Sequence, residues 1–202
     1  MSDLTERQKH LIENPEWSLV TCLNTLFNSM RLVQAARKGL LDPGLFSKDF
    51  TLVNEDDPST GIQVRAAEKP IPADLILENI MKNVAATCFM QFDELASQKL
   101  GRGNRFSHKD SDIRNTCMIL YLVRCAFAHN PLTPTWLIKP HFQNKVFEIP
   151  AIELRLDTTG LHRKIDVVPR IGGWVGASRL LQHAHKLISP ETSTLMELKQ
   201  TG

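Results

Sequence analysis

The segment 112-DIRNTCMILYLVRCAFAH-129 constrains this chain more than any other. Its middle is apolar nearly all round, the pattern of a helix that is central rather than one lying on a surface. Asp110 or Ser111 can cap its start. Asn130 precedes Pro131, and a residue before proline is pushed out of the α region, so the helix ends at or near His129. Any fold has to be built around this helix, with other elements supplying its cover.

Other segments suit that task. In 16-EWSLVTCLNTLFNSMRLVQAARKGL-40, Leu19, Leu23, Leu26, Phe27, Met30 and Val33 recur at spacings of three and four, which marks one buried helical face. Lys38 and Gly39 form its stop signal. In 74-DLILENIMKNVAATCFMQFDELASQKL-100, Ile76, Ile80, Val84 and Cys88 step by four beside Leu77, Met81, Ala85 and Phe89. That broad face suits a helix packed inside a bundle. Residues 3–13 predict a short further helix, and 175-VGASRLLQHAHKLIS-189 a last one closed by Pro190.

Between the first two long helices, 41–72 is rich in proline and carries the acidic cluster 55-EDD-57. It is expected to be a long surface loop, in which 50-FTLV-53 and 62-IQVR-65 can pair as a small hairpin. After the central helix, 135-TWLI-138, 145-KVFEI-149, 151-AIELRL-156 and 164-KIDVV-168 are enriched in β-branched and aromatic residues and predict a small antiparallel sheet. The tail 191–202 is expected to fray. The expected fold is mainly α: a bundle of four to five helices whose core is 1–134, with a small antiparallel β appendage over 135–170. A C-terminal helix over 171–190 returns to the bundle, all within a single domain.

The chain has 202 residues, 42% of them hydrophobic, and a formal charge of +2. No global basic bias demands nucleic acid, although a local patch remains open. Residues 1–20 contain Glu6, Arg7, Lys9, Glu13 and Glu16, which does not fit a signal-peptide core. No apolar run approaches the ~18–20 residues of a membrane helix. Cys22, Cys88, Cys117 and Cys125 include no C-x-x-C pair. They are expected to be buried free thiols, and the expected compartment is a reducing cytoplasm. His183 and His185 are two apart and would point to different sides of a helix, so no metal site is expected.

The remaining question is why Arg124 and His129 stand at the end of an apolar helix. Both complement the negative end of the helix dipole. Arg124, however, shares the register of Cys117, Leu120 and Phe127, and burying a guanidinium requires an anionic partner. Five residues of regular helix place the two about 140° apart. They converge only if the helix end unwinds at Asn130–Pro131, or if a second copy supplies partners.

The run 120-LYLVRCAFAHNP-131 resembles the signature of the HEPN superfamily, an R-x(4–6)-H motif late in a core helix. Arg124 and His129 match it with four residues between. The helix 74–100 before the motif and the Pro-Thr-Trp segment at 134–136 after it also fit, so the resemblance covers roughly 73–140. It implies a small bundle of four or five helices and a homodimer formed through the motif helix. In active members it implies metal-independent RNA cleavage without a cofactor. A role in a toxin or phage-defence system, with an antitoxin or regulatory partner, goes with that reading. One position departs from the pattern. The residue after the motif arginine is commonly Asn, Asp or His, and here it is Cys125, with Asn130 as the substitute polar group.

The chemistry agrees with the residue types. RNA carries its own nucleophile, the 2′-hydroxyl. Histidine, with an unperturbed pKa of ~6.5, exchanges protons near neutral pH. Arginine offers a planar fork of donors to phosphate, and fixed donors at a growing charge are often the largest catalytic term. Substrate would be held by Lys99, Arg102, Arg105, His108 and Lys109, a cluster on the loop 99-KLGRGNRFSHKDSDIR-114 that is expected to be exposed. Two other readings stay open. One is the same fold without catalysis, binding RNA or a nucleotide or serving dimerisation. The other is a helical interaction protein in which Arg124 and His129 merely cap a helix.

Overall fold

A computed structural model describes residues 15–42, 48–53, 61–64 and 71–189 of the chain. The expected helix at 3–13, the acidic cluster 55–57 and the tail 191–202 lie outside them. The fold is mainly α with small antiparallel β elements. The helices are α1 (Pro15–Arg37), α2 (Ala73–Leu100), α3 (Ser111–His129), α4 (Val167–Arg170) and α5 (Gly173–Ile188). Strands β1 (Phe50–Val53) and β2 (Gly61–Val64) form one hairpin, and β3 (Val146–Ile149) and β4 (Leu154–Asp157) another. Among the described residues, no helix is long and apolar enough to cross a membrane. The chain divides into two compact units at 25/26 and 82/83, points inside α1 and α2.

The larger unit, 1–25 with 83–202, contains α3. Asp110, rather than Ser111, caps this helix: its Oδ1 accepts from the N–H groups of Asp112 at 2.8 Å and Ile113 at 3.4 Å. Thr116, Cys117, Ile119, Leu120, Leu122, Val123, Ala126 and Phe127 are all buried, so the helix is enclosed nearly all round. Each large apolar side chain so enclosed contributes about 1.5–3 kcal/mol. Phe89 of α2 stacks on Phe127 with ring centres 5.7 Å apart. Leu180, Leu181, Ala184 and Ile188 bury the inner face of α5. His183 Nε2 of α5 meets Asp112 Oδ2 at 3.0 Å. His185 lies edge-on to Phe92, and its burial holds the imidazole below its ordinary pKa. On α1, Leu19 and Leu23 are buried, and Glu16 accepts from Lys99 of α2.

The expected four-segment sheet is smaller in the structure. Only β3 and β4 pair, from Val146↔Asp157 to Ile149↔Leu154, with Phe147, Ile149, Leu154 and Leu156 turned inward. Segment 135–138 is no strand. Pro134 and Pro140 bracket it and offer no N–H to extend a ladder. Segment 164–168 runs instead into the single-turn α4, where Pro169 is tolerated within the first turn. The chain then turns into α5 through Gly172 (φ 82°) and Gly173 (φ 71°), left-handed positions that favour glycine.

In the smaller unit, 26–82, Leu26, Val33, Leu77 and Met81 are buried. Glu78 accepts from Arg37 at 2.8 Å and pairs with Lys82 at 3.0 Å. The hairpin read at 50–53 and 62–65 is present within one residue, in the register Phe50↔Val64 to Val53↔Gly61.

Candidate active site

Arg124, Cys125, Ala128 and His129 occupy the last turn and a half of α3. Each residue turns the helix by about 100°. Measured from Arg124, Ala128 therefore lies at about 40°, Cys125 at about 100° and His129 at about 140°. The four form one continuous arc of helix surface. Leu137, Ile138, Lys139, Pro140 and His162 complete the lining of an open pocket of about 340 Å³. The helix stays regular through His129. Arg124 and His129 therefore remain about 140° apart on its surface. They stand at the two rims of one pocket in one chain.

The facing wall is built by backbone pairing and buried anchors. Trp136 N–H donates to Lys164 O, and Arg163 N–H donates to Trp136 O, both at 2.8 Å. One step further along, Ile138 N–H donates to His162 Nδ1 at 3.2 Å. Trp136 and Ile138 are buried beneath, and Thr135 N–H donates to Ala126 O of α3 at 3.2 Å. The buried Thr158 hydroxyl donates to Phe142 O at 2.6 Å and accepts from Lys145 N–H at 3.0 Å. That holds the 3₁₀ turn 140–142, which follows Lys139. Asn130 does not line the pocket. Its Oδ1 accepts from the N–H groups of Leu132 and Thr133 and shapes the turn after the helix.

The anion expected to meet Arg124 is Asp93 of α2. Its Oδ2 lies 3.9 Å from Arg124 Nε, while its Oδ1 accepts from Arg105 at 2.7 Å. Arg105 is the closer and more deeply buried partner, with its side chain 6% exposed against 40% for Arg124. Burial raises the Asp93 carboxyl above its ordinary pKa, although Arg105 and Arg124 pull the other way. Two guanidiniums thus share one carboxylate, which leaves positive charge at the outer one. Lys139 adds another cation, and the Tyr121 hydroxyl beside it raises its pKa. Two histidines, one arginine and one lysine line the pocket; no Asp or Glu does. Such a lining attracts anions, and its partial enclosure strengthens the attraction relative to open water.

The basic loop is less uniform than its sequence. Arg105 is buried rather than exposed: its Nη1 donates to both the carbonyl and the carboxylate of Asp93, at 2.6 and 2.7 Å, and its guanidinium covers the Phe106 ring. Lys99 is engaged by Glu16 and Ser189. His108 is half-buried, and its Nδ1 accepts from Asp110 N–H. Arg102 and Lys109 are exposed and, among the described residues, make no ion pair.

Two pocket residues, Lys139 and His162, have no signal in the sequence spacing. His162 is 33 positions beyond His129 in the chain, and only the pairing of 136 with 163–164 brings it beside Ile138. The strand-like character of 135–138 and 164–168 was the available hint. No protein-family model, curated protein or solved structure matches the chain.

Proposed function

We propose that this pocket binds an RNA phosphodiester and cleaves it without a metal, as in the HEPN ribonucleases that the R-x4-H run resembles. The observation that carries the reading is the pocket itself: Arg124 and His129 border one acid-free cavity. Arg124 presents guanidinium donors to the non-bridging oxygens of the phosphate. His129 accepts the proton of the 2′-hydroxyl as its oxygen attacks phosphorus. The P–O5′ bond breaks, the 5′-oxygen takes a proton from water, and the products are a 2′,3′-cyclic phosphate and a 5′-hydroxyl. A homodimer through α3, a cytoplasmic place in a toxin or phage-defence system, and an antitoxin or other regulatory partner belong to the same proposal.

The test is purified protein with labelled single-stranded RNA in excess EDTA, beside His129→Ala. Cleavage by the wild type alone, leaving cyclic phosphate ends, supports the reading. A second reading, RNA or nucleotide binding without cleavage, is favoured by one observation. Among the described residues nothing hydrogen-bonds the His129 ring to orient it, and Cys125 stands where the family that the run resembles commonly carries a polar group. RNA retention without cleavage across several substrates selects it.

A further inference from the structure

The pocket holds a second histidine that the motif does not include. His162 belongs to the wall opposite α3, and its Nδ1 accepts the Ile138 N–H at 3.2 Å. A ring nitrogen that accepts a hydrogen bond carries no proton, so the ring proton of neutral His162 is on Nε2. Its tautomer is thus set by the backbone rather than by solvent. The Nε2–H edge has no partner among the described residues. Lys139, the next residue after Ile138, lines the same wall.

We infer that His162 is a phosphate-binding residue, its Nε2–H donating to a non-bridging oxygen from the wall facing Arg124. This deepens the proposed function and rests on its reading of the pocket as a phosphate site. The two histidines then divide the work. Among the described residues His129 has no hydrogen-bond partner, so its ring is open to substrate. His162 is anchored through Nδ1 and serves as a fixed donor. The phosphodiester is gripped from both sides, by Arg124 on the helix and by His162 with Lys139 on the wall. A fixed donor aimed at a growing charge needs no reorientation during reaction.

The test uses full-length protein with 15N-labelled histidine, inorganic phosphate and a 2′-O-methyl oligoribonucleotide, which lacks the nucleophile. The expected free-state spectrum shows His162 protonated on Nε2 alone, and both probes shift that Nε2–H signal. His162→Asn keeps an acceptor for Ile138 N–H and so preserves the wall, but it loses the outward donor. It should weaken oligonucleotide binding about tenfold or more, as expected for a hydrogen bond to a charged group, with thermal unfolding unchanged. A proton on Nδ1, or equal affinity in wild type and His162→Asn, overturns the inference. Unmodified RNA separates the two proposals. Binding that depends on His162 without any cleavage overturns the cleavage reading and supports this one. Cleavage with unaltered KM in His162→Asn does the reverse.

Discussion

Arg124 and His129 flank one pocket from positions five residues apart on an unbroken helix. Ala128 and Cys125 fill the arc between them, so the helix itself forms the floor and its two polar residues the rims. Their functions should therefore be separable from the fold. His129 is exposed at the helix end, and His129→Ala should change stability by no more than about 0.5 kcal/mol. It should lower any RNA cleavage by about a hundredfold or more. Urea unfolding and a cleavage assay on the same preparation check both halves. A large loss of stability would return His129 to the role of a helix cap.

Asp93 and Arg105 make a buried ion pair at 2.7 Å, and neither can be removed alone without leaving a charge in the core. Asp93→Ala should cost about 3–5 kcal/mol. A double change to Leu at 93 and Met at 105 should recover most of that loss, because no charge is then left to solvate. Denaturant unfolding of the wild type and these two variants measures the coupling. Equal losses in the single and double variants would show that the pair does not act as a unit.

The same carboxylate sets a sign for pH dependence. Burial raises its pKa in the folded state. The native protein keeps this proton to higher pH than the unfolded chain does. The stability contributed by this titration is complete below the ordinary carboxyl value of about 3.9 and is lost as pH rises through the raised one. The difference in unfolding free energy between wild type and Asp93→Asn should shrink across that interval. Glu16 runs the opposite way: the hydrogen bond from Lys99 lowers its pKa, so its contribution is lost on acidification. A difference that widens with rising pH would contradict the assignment for Asp93.

Gly176 in the first turns of α5 is irreplaceable for a steric reason. A Cβ there would lie 1.8 Å from the carbonyl oxygen of Ile171. That atom is backbone in the tight α4–α5 corner and cannot swing away. Gly176→Ala should cost about 3 kcal/mol or more, whereas Gly103→Ala, which meets nothing within 4 Å, should be nearly neutral. Paired thermal melts decide this.

Cys22 should be the most reactive thiol of the four. The Cys88 thiol hydrogen-bonds it and Gln91 assists, so its pKa falls below the ordinary thiol value. Cys88 is driven the other way by the same contact and by burial, and burial pushes Cys117 up to about 11. Alkylation mapped by mass spectrometry should label Cys22 first at neutral pH, and Cys88→Ala should slow it. Faster labelling at Cys117 would count against this electrostatic ordering.

The long helices were legible because their signals are local. Apolar spacing fixed 15–37, 73–100 and 111–129 to within two residues, and Asn130–Pro131 marked the end of the motif helix. What the sequence hid depends on long-range partners. Arg105 looks like one more basic loop residue until the chain brings Asp93 beneath it. Lys139 and His162 look like scattered surface residues until 136 pairs with 163–164. The segment 164–168 carries a strand's composition, but Asp166, Pro169 and the glycines after it turn the chain instead. The half of the site on one helix was thus readable, and the half on the facing wall was not.

The shared carboxylate of Asp93 also says what to look for in distant kin of this chain. The pocket arginine and histidine lie nearer the surface and can change with less disturbance to the interior. Positions 93 and 105 cannot, since either change by itself strands a charge in the interior. Related sequences should keep both residues or replace both together. That paired substitution is a sharper search key than a six-residue motif, and it would trace ancestry even where the motif is lost.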